Sequence, residues 1–278
     1  MKRSTDTTSR EKLAALRQQL AGRLIGNPIT SQPTGLHKTS LLPLGLGAID
    51  AHLGGGLAQA ALHEIAGSGN DTELATLPAF FASQVIRRHP DRRTLWVAPA
   101  ADLYGPGLQG FALDPTKLLL VETHQDAESL WVLEEAARSG AVSLVIGEID
   151  KLDLTASRRL QLAAEEKSCT ILVLRRSRLA SNGEKCRQPS AAMTRWLISP
   201  LPSRSRDNRP GLGAPCWRLD LWRQRNGPPG CWDISLQEHA WHQMPSCQEA
   251  SLEPDSTTAM AANDDSVSHR ATHLTAGR

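Results

Sequence analysis

Residues 62–74 are framed like a phosphate-binding loop but lack the residues that bind phosphate. In a working loop, G-x-x-x-x-G-K-[ST], backbone N–H groups hold the phosphates, the Lys meets the β- and γ-phosphates and the hydroxyl holds Mg²⁺. The corresponding positions here are held by Gly67, with Gly69 inside the loop, then Thr72, Glu73 and Leu74. A carboxylate about 4 Å from a phosphate oxygen costs roughly 4 kcal/mol at an effective dielectric constant near 20. The stretch therefore predicts an ATPase scaffold without ATP chemistry.

Apolar runs of strand length alternate with helical patterns around this loop. Because the runs are apolar almost throughout, they indicate a buried parallel sheet with helices on its faces. The predicted strands cover residues 61–66, 94–98, 117–121, 142–147 and 169–174, and the predicted helices cover 72–89, 127–139 and 154–167. This pattern predicts the α/β class.

Composition shifts divide the chain into five segments. Leucines at spacings of three and four predict a helix over residues 8–24, which packs on its own domain or docks on a partner. Residues 216–223 alternate with period two, a Pro/Gly-rich turn follows at 226–230, and residues 231–236 could return, which predicts an antiparallel hairpin. The predicted segments are 1–26, an N-terminal helical arm; 27–40, a linker; 41–200, the core; 201–245, an Arg/Trp-rich loop and hairpin extension; and 246–278, a disordered tail.

Bulk composition indicates a cytoplasmic globular protein. A hydrophobic content of 40% and a charged content of 22% suit a packed soluble domain, and no apolar run reaches the roughly 20 residues of a membrane span. The five cysteines include no C-x-x-C pair, which favours reduced thiols. Cys216 and Cys231 could face each other across the hairpin, but the expected compartment disfavours a disulfide. A net charge of +2 does not by itself indicate nucleic-acid binding.

Three sets of residues could be taken for ligand sites, but a structural role is the favoured interpretation of each. Gly54, Gly55 and Gly56 predict a tight turn where backbone approaches backbone. Glu148, with Asp150 and Asp153, predicts solvated carboxylates at a strand end and a helix start rather than a metal site. A zinc site from the cysteines and histidines of 231–247 is disfavoured because their spacing matches no standard pattern. We expect no metal and no cofactor.

Arginine and tryptophan after residue 174 form the strongest candidate contact surface. Arg and Lys track phosphates, and Trp with Arg is typical both of single-strand stacking platforms and of protein-interface hot spots. A solvated loop over 178–195 with core tryptophans is equally consistent, so DNA, a protein partner and a structural role stay open. Alternation places Trp217 and Trp222 on opposite faces of their strand. The candidate residues are Arg175, Arg176, Arg178, Lys185, Arg187, Arg195, Trp217, Trp222, Arg223 and Arg225.

Two stretches resemble RecA-type recombinases. Residues 44–57 look like the segment before the RecA phosphate loop, and residues 137–148 resemble a RecA helix and its following strand. Within that superfamily, Leu-His-Glu-Ile-Ala-Gly at 62–67, the broken loop and the Trp/Arg-rich hairpin resemble the ImuA family. The resemblance implies a RecA-like P-loop NTPase core with a mostly parallel central sheet and a C-terminal β-hairpin extension.

The departures from active RecA all favour a protein that is not an enzyme. The Lys and Ser/Thr of the loop align with Glu73 and Leu74, and the catalytic Glu aligns near Ala100. Glu148 keeps the acidic Walker B position, whereas the nucleotide-sensing Gln falls near Arg175 or Arg176. An isolated carboxylate cannot hold Mg²⁺ and phosphate usefully.

The resemblance implies an adaptor of the damage-induced (SOS) translesion synthesis complex. The implied partners are an ImuB-type relative of Y-family polymerases and an error-prone replicative-type polymerase, with RecA, DNA and a second copy of the chain as further candidates. We expect a cytoplasmic protein that is nucleoid-associated when engaged. ImuA proteins are also similar to SulA, so a division inhibitor that binds FtsZ stays open, as does a DNA-dependent ATPase.

Overall fold

A computed structural model describes residues 40–68, 76–88, 93–99, 103–109, 113–176, 188–204, 213–237 and 240–244. The chain divides into two units, residues 1–244 and residues 245–278. The predicted N-terminal arm and the C-terminal tail lie outside the described residues. The helices are α1 (Gly47–His52), α2 (Thr76–Arg88), α3 (Gly105–Gln109), α4 (Asp126–Ser139) and α5 (Leu154–Glu166), with a 3₁₀ turn at Pro115–Lys117.

One nine-stranded sheet organises the domain, in the order β11-β10-β9-β8-β3-β7-β6-β4-β5. Strands β8, β3, β7, β6, β4 and β5 run parallel, whereas β9, β10 and β11 continue the sheet antiparallel. The short β1 and β2 form a separate antiparallel pair. The strands are β1 (Leu41–Leu42), β2 (Leu57–Ala58), β3 (Leu62–Gly67), β4 (Thr94–Ala98), β5 (Leu118–Glu122), β6 (Leu144–Ile149), β7 (Thr170–Arg175), β8 (Thr194–Arg204), β9 (Ala214–Gln224), β10 (Gly230–Gln237) and β11 (Ala240–Gln243).

Each face of the sheet carries its own hydrophobic core. On one face, α1 and α2 pack with an aromatic cluster in which Phe81 meets Trp196 and Trp241 at centroid distances of 5.4 Å and 5.7 Å. On the other face, α4 and α5 cover the parallel strands through small and branched side chains. Since both faces of the central strands are covered, those strands need continuous apolar sequences.

The α/β class and the mostly parallel sheet are confirmed. The five predicted core strands correspond to β3 to β7, with boundaries shifted by no more than two residues. Strands β1, β2, β8 and β11 were missed, and β8 is the longest of these. Residues 194–204 form β8, although 178–195 was expected to be a loop and 201–215 a linker or long loop. Pro200, Pro202 and two arginines give this strand the local sequence pattern of a loop, and its pairing with β3 and β9 overrides that local signal.

The glycine turn is confirmed as a backbone contact. Gly54, Gly55 and Gly56 adopt φ values of 74°, 126° and 134°. A Cβ on Gly56 would lie 2.3 Å from the carbonyl oxygen of Leu42, so the backbones of β1 and this turn touch. The turn therefore needs glycine at its third position, both for conformation and for space.

The hairpin places the two cysteines apart. Cys216 lies opposite Ser235 and Cys231 opposite Asp220, and both are free thiols. Burial and the neighbouring Asp220 carboxylate raise the pKa of Cys231 to about 12.

No helix in the described part of the chain combines the length and apolar character of a membrane span.

His63 is a buried neutral base at the centre of the sheet. Its Nε2–H donates to the Ala58 carbonyl at 2.8 Å, and the Thr194 hydroxyl donates to its Nδ1 at 2.7 Å. The Trp196 indole N–H donates in turn to that hydroxyl at 2.9 Å. Burial lowers the pKa of His63 to about 4, outweighing the opposing effect of the Ala58 bond.

Acidification should therefore destabilise the domain through His63. Because the folded pKa lies below the unfolded value, only the unfolded chain takes up this proton between pH 6.5 and 4. We expect a loss of roughly 3 kcal/mol across that window, with no contribution from His63 above it. Urea unfolding of the wild type and His63→Asn at each pH isolates the effect. Equal pH slopes for the two proteins would contradict it.

Candidate functional site

The carboxyl ends of β3, β6 and β7 form the edge where an open parallel sheet holds its ligands. Gly67 ends β3, and Glu148 lies near the end of β6, opposite Leu174 of β7. The remaining phosphate-loop positions, Gly69, Thr72, Glu73 and Leu74, lie outside the described residues. The same holds for Ala100, so the described part of this edge includes Gly67, Glu148, Arg175 at the end of β7 and Arg176 directly after it.

Glu148 is buried and engaged with the protein's own donors. Its side chain is only 4% exposed, and the Trp96 indole N–H donates to Oε1 at 2.8 Å. The guanidinium of Arg176 pairs with Oε2. The expectation of a solvated carboxylate is therefore wrong for Glu148, because β4 and the residue after β7 supply both donors. Asp153 does cap α5, accepting the Ala156 N–H at 2.7 Å.

Arg175 lies inside the domain rather than on its surface. It is 2% exposed, and its guanidinium donates to the carbonyls of Asp150 at 3.0 Å and Leu152 at 3.4 Å. The segment between β6 and α5 is thereby tied to the end of β7. Arg175 therefore stabilises the loop between β6 and α5 at the carboxyl edge of the sheet.

Arg195 is also interior, in β8 rather than in the predicted solvated loop. It is 4% exposed, its Nη2 lies 3.3 Å from Oε2 of Glu64, and its Nη1 donates to the Gln188 carbonyl at 2.8 Å. The Ser190 hydroxyl donates to the other oxygen of Glu64. The guanidinium also lies 5.2 Å from the centroid of the Trp222 ring. A buried, stacked ion pair thus joins β3, β8 and β9.

Arg223 at the end of β9 and Arg225 in the following turn both bind the segment that precedes β8. Arg223 donates to the Ser190 carbonyl at 2.9 Å, and Arg225 donates to the Ala191 carbonyl at 2.6 Å. Among the described residues, every arginine of the predicted contact surface therefore donates a hydrogen bond within the chain. Arg178, Lys185 and Arg187 lie outside the described residues, and their contact role stays a prediction.

The two candidate tryptophans have different surroundings, as alternation predicted. Trp217 packs against the aromatic core, with its ring centroid 4.3 Å from that of Phe80. Trp222 lies under Arg195 on the opposite face of β9. Both indoles therefore have contacts within the domain, and each side chain stays partly exposed.

Sequence reasoning missed the carboxylate partners of these cations. Glu64 was noted only as part of the loop phrase, and Asp233 was not considered. Asp233 accepts two hydrogen bonds from Arg218, at 2.8 Å and 3.1 Å, and the pair raises the pKa of that guanidinium. The hairpin register places Arg218 directly opposite Asp233, so the turn at 226–230 was the usable signal. Within the described ranges, no group of three acidic, His or Cys side chains is arranged to hold a metal ion.

The fold and this edge define an α/β protein whose buried carboxylate at the ligand edge is paired with an arginine of the same chain. The chain is 40% identical over 207 residues to protein ImuA from two strains of Caulobacter vibrioides, covering 72% of this chain and 85% of the relative. It belongs to the ImuA family. No protein-family model matches the chain.

Proposed function

We propose that this protein is a non-catalytic, RecA-like adaptor of the damage-induced mutagenesis system that carries out translesion DNA synthesis. Membership of the ImuA family is the observation that carries the proposal. The proposed partners are an ImuB-type relative of Y-family polymerases and an error-prone replicative-type polymerase. The adaptor would bind these proteins and bring them to damaged DNA.

The strand order supports a RecA-like scaffold. Strand β3, which leads into the degenerate loop, lies between β7 and β8 in the middle of the sheet, as a phosphate-loop strand must to face a bound nucleotide. The sequence of the loop supports the loss of ATP chemistry, because Glu73 stands at the Lys position. The engagement of Glu148 by Trp96 and Arg176 supports it independently.

The C-terminal strands belong to the body of the proposed adaptor. Leu219, Ile234 and Trp241 are buried in the core that also holds α2. Partner contacts in this region would therefore come from the outer side chains of β9 to β11 rather than from a separable module. A chain cut after Met244 keeps every strand that the structure describes.

A capture assay with purified full-length protein tests the proposal. We expect it to retain an ImuB-type partner and not FtsZ, and to show no saturable ATP binding in a calorimetric titration on the same sample. Capture of FtsZ alone would replace the proposal with the division-inhibitor function. Tight ATP binding would instead support a DNA-dependent ATPase.

A restored loop provides the matched control for the titration. Glu73→Lys with Leu74→Thr returns the Lys and the hydroxyl to the loop, which are the groups that meet phosphate and Mg²⁺. The restored variant should bind ATP no more weakly than the wild type, while partner capture should be the same for both. A loss of partner capture on restoring the loop would place the loop in the partner contact.

A further inference from the structure

Arg176 occupies the sheet edge at which the parallel strands end. Its backbone N–H donates to the Ile149 carbonyl at 3.1 Å, which extends the pairing of β6 and β7 by one residue. Its side chain is 17% exposed and reaches the carboxylate of Glu148. This carboxylate lies on the α2 side of the sheet, since Trp96, which donates to it, belongs to the core on that face.

The surroundings of this ion pair differ from those of the chain's surface pairs. Trp96 comes from β4, Glu148 from β6 and Arg176 from the position directly after β7, so three neighbouring segments of the sheet meet at one carboxylate. By contrast, Arg159 pairs with Glu134 between α4 and α5 with its own side chain 60% exposed, and that carboxylate, 7% exposed, also pairs with Arg138. A buried carboxylate needs a cation close by, because an uncompensated charge inside a protein is far more costly than an exposed one.

We propose that Arg176 is a built-in cationic ligand of Glu148, which fills the place that a cation carried by a bound ligand would take at this edge. The chain's own guanidinium then joins the residue after β7 to the end of β6, and the Trp96 indole joins the same carboxylate to β4. This deepens the proposed function and rests on it in one respect only: an adaptor without ATP chemistry needs another means of ordering its ligand edge. Arg176 acts here as a positioning residue.

Chemical rescue tests the assignment. Arg176→Ala in the full-length protein should lower Tm by roughly 10 °C, because it leaves Glu148 buried without its cation. Guanidinium chloride at a sub-denaturing concentration, compared with sodium chloride at equal ionic strength, should raise the Tm of this variant by several degrees. The same salt should not raise the Tm of the wild type. A merely structural loss of packing would not respond to guanidinium in this way.

Three further variants make the result specific. Arg159→Ala removes the exposed partner of Glu134, which keeps its pair with Arg138, and should shift Tm by about 2 °C or less, without rescue. Arg176→Lys keeps the positive charge but lacks the planar guanidinium with its several N–H donors. Its Tm should lie between those of the wild type and Arg176→Ala. The double variant Glu148→Gln/Arg176→Ala removes both charges, so it should be more stable than Arg176→Ala and insensitive to guanidinium. This double variant keeps the test usable if the single variant does not fold.

Two outcomes would overturn the assignment: equal responses of all variants to guanidinium, or a Tm for Arg176→Ala no lower than that of Arg159→Ala. These readouts use no partner and no nucleotide. Failure of the proposed function would instead appear in partner capture and ATP titration of the wild type, so the two failures are distinguishable.

Discussion

A chain that ends at Pro200 is expected not to fold, whereas a chain that ends at Met244 is expected to unfold cooperatively near the full-length Tm. The shorter chain loses the end of β8 and all of β9 to β11. With them go Leu219, Leu221, Ile234 and Trp241, each at most 3% exposed in the aromatic core. At about 2 kcal/mol for each buried side chain, the loss is roughly 8 kcal/mol. Total stabilities of about 5–15 kcal/mol are typical of natural domains.

Thermal unfolding followed by near-ultraviolet circular dichroism distinguishes the three chains. The full chain and residues 1–244 should show the tryptophan signal of a packed core and one cooperative transition each. A cooperative transition for residues 1–200 at a similar temperature would show that the antiparallel strands are a dispensable extension. The same comparison is a control for partner-binding assays, because lost partner binding in a chain cut at Pro200 would report unfolding rather than a lost contact.

Gly56→Ala is expected to destabilise the protein by roughly 3–4 kcal/mol. A Cβ would lie 2.3 Å from the Leu42 carbonyl oxygen and 2.7 Å from the backbone nitrogen of Pro43, so backbone must move. The φ of 134° is also one that L-residues rarely adopt. Displacing this turn disturbs the pairing of β1 with β2, whose Leu42 and Leu57 are fully buried. Urea unfolding measures the change as a shift in midpoint.

Substitutions at two other glycines distinguish backbone strain from steric contact as causes of the destabilisation by Gly56→Ala. Gly54 has a φ of 74° with open space around its Cβ position, so Gly54→Ala should cost only the backbone term of roughly 1–2 kcal/mol. Gly47 starts α1 with open space and an ordinary φ, so Gly47→Ala should be neutral or slightly stabilising. If Gly54→Ala and Gly56→Ala cost the same, the contact with Leu42 would be unimportant.

The buried parallel strands were predictable because their chemistry is local. Strand β6, for example, is buried at every position, and its sequence is almost continuously apolar. Strand β8 was not predictable in this way, since its prolines and arginines suit a loop. Its strand conformation comes from β3 and β9, which pair with it across long sequence separations. Local pattern thus defined the centre of the sheet and failed where tertiary pairing decides.

The arginines illustrate the same limit at the candidate site. Charge alone predicted a solvated surface, yet Arg195 pairs with Glu64, which lies 131 residues away in sequence. The acceptors of Arg175 are backbone carbonyls, which no side-chain pattern reveals. Glu148 was correctly singled out as the acidic residue at a strand end, but its partner Arg176 was assigned to a different role. Residue type identified the charged groups, and only the fold determined which of them meet.

The hydrogen bond between the Trp241 indole and the Leu44 carbonyl, 3.1 Å long, spans 197 residues. During synthesis, residue 44 leaves the ribosome long before residue 241, so the aromatic core stays incomplete until β11 has been synthesised. Contacts of such long range make folding slow and leave apolar surface exposed in the meantime. A nascent chain of this protein therefore carries an unfinished aromatic core until residue 241 has been made.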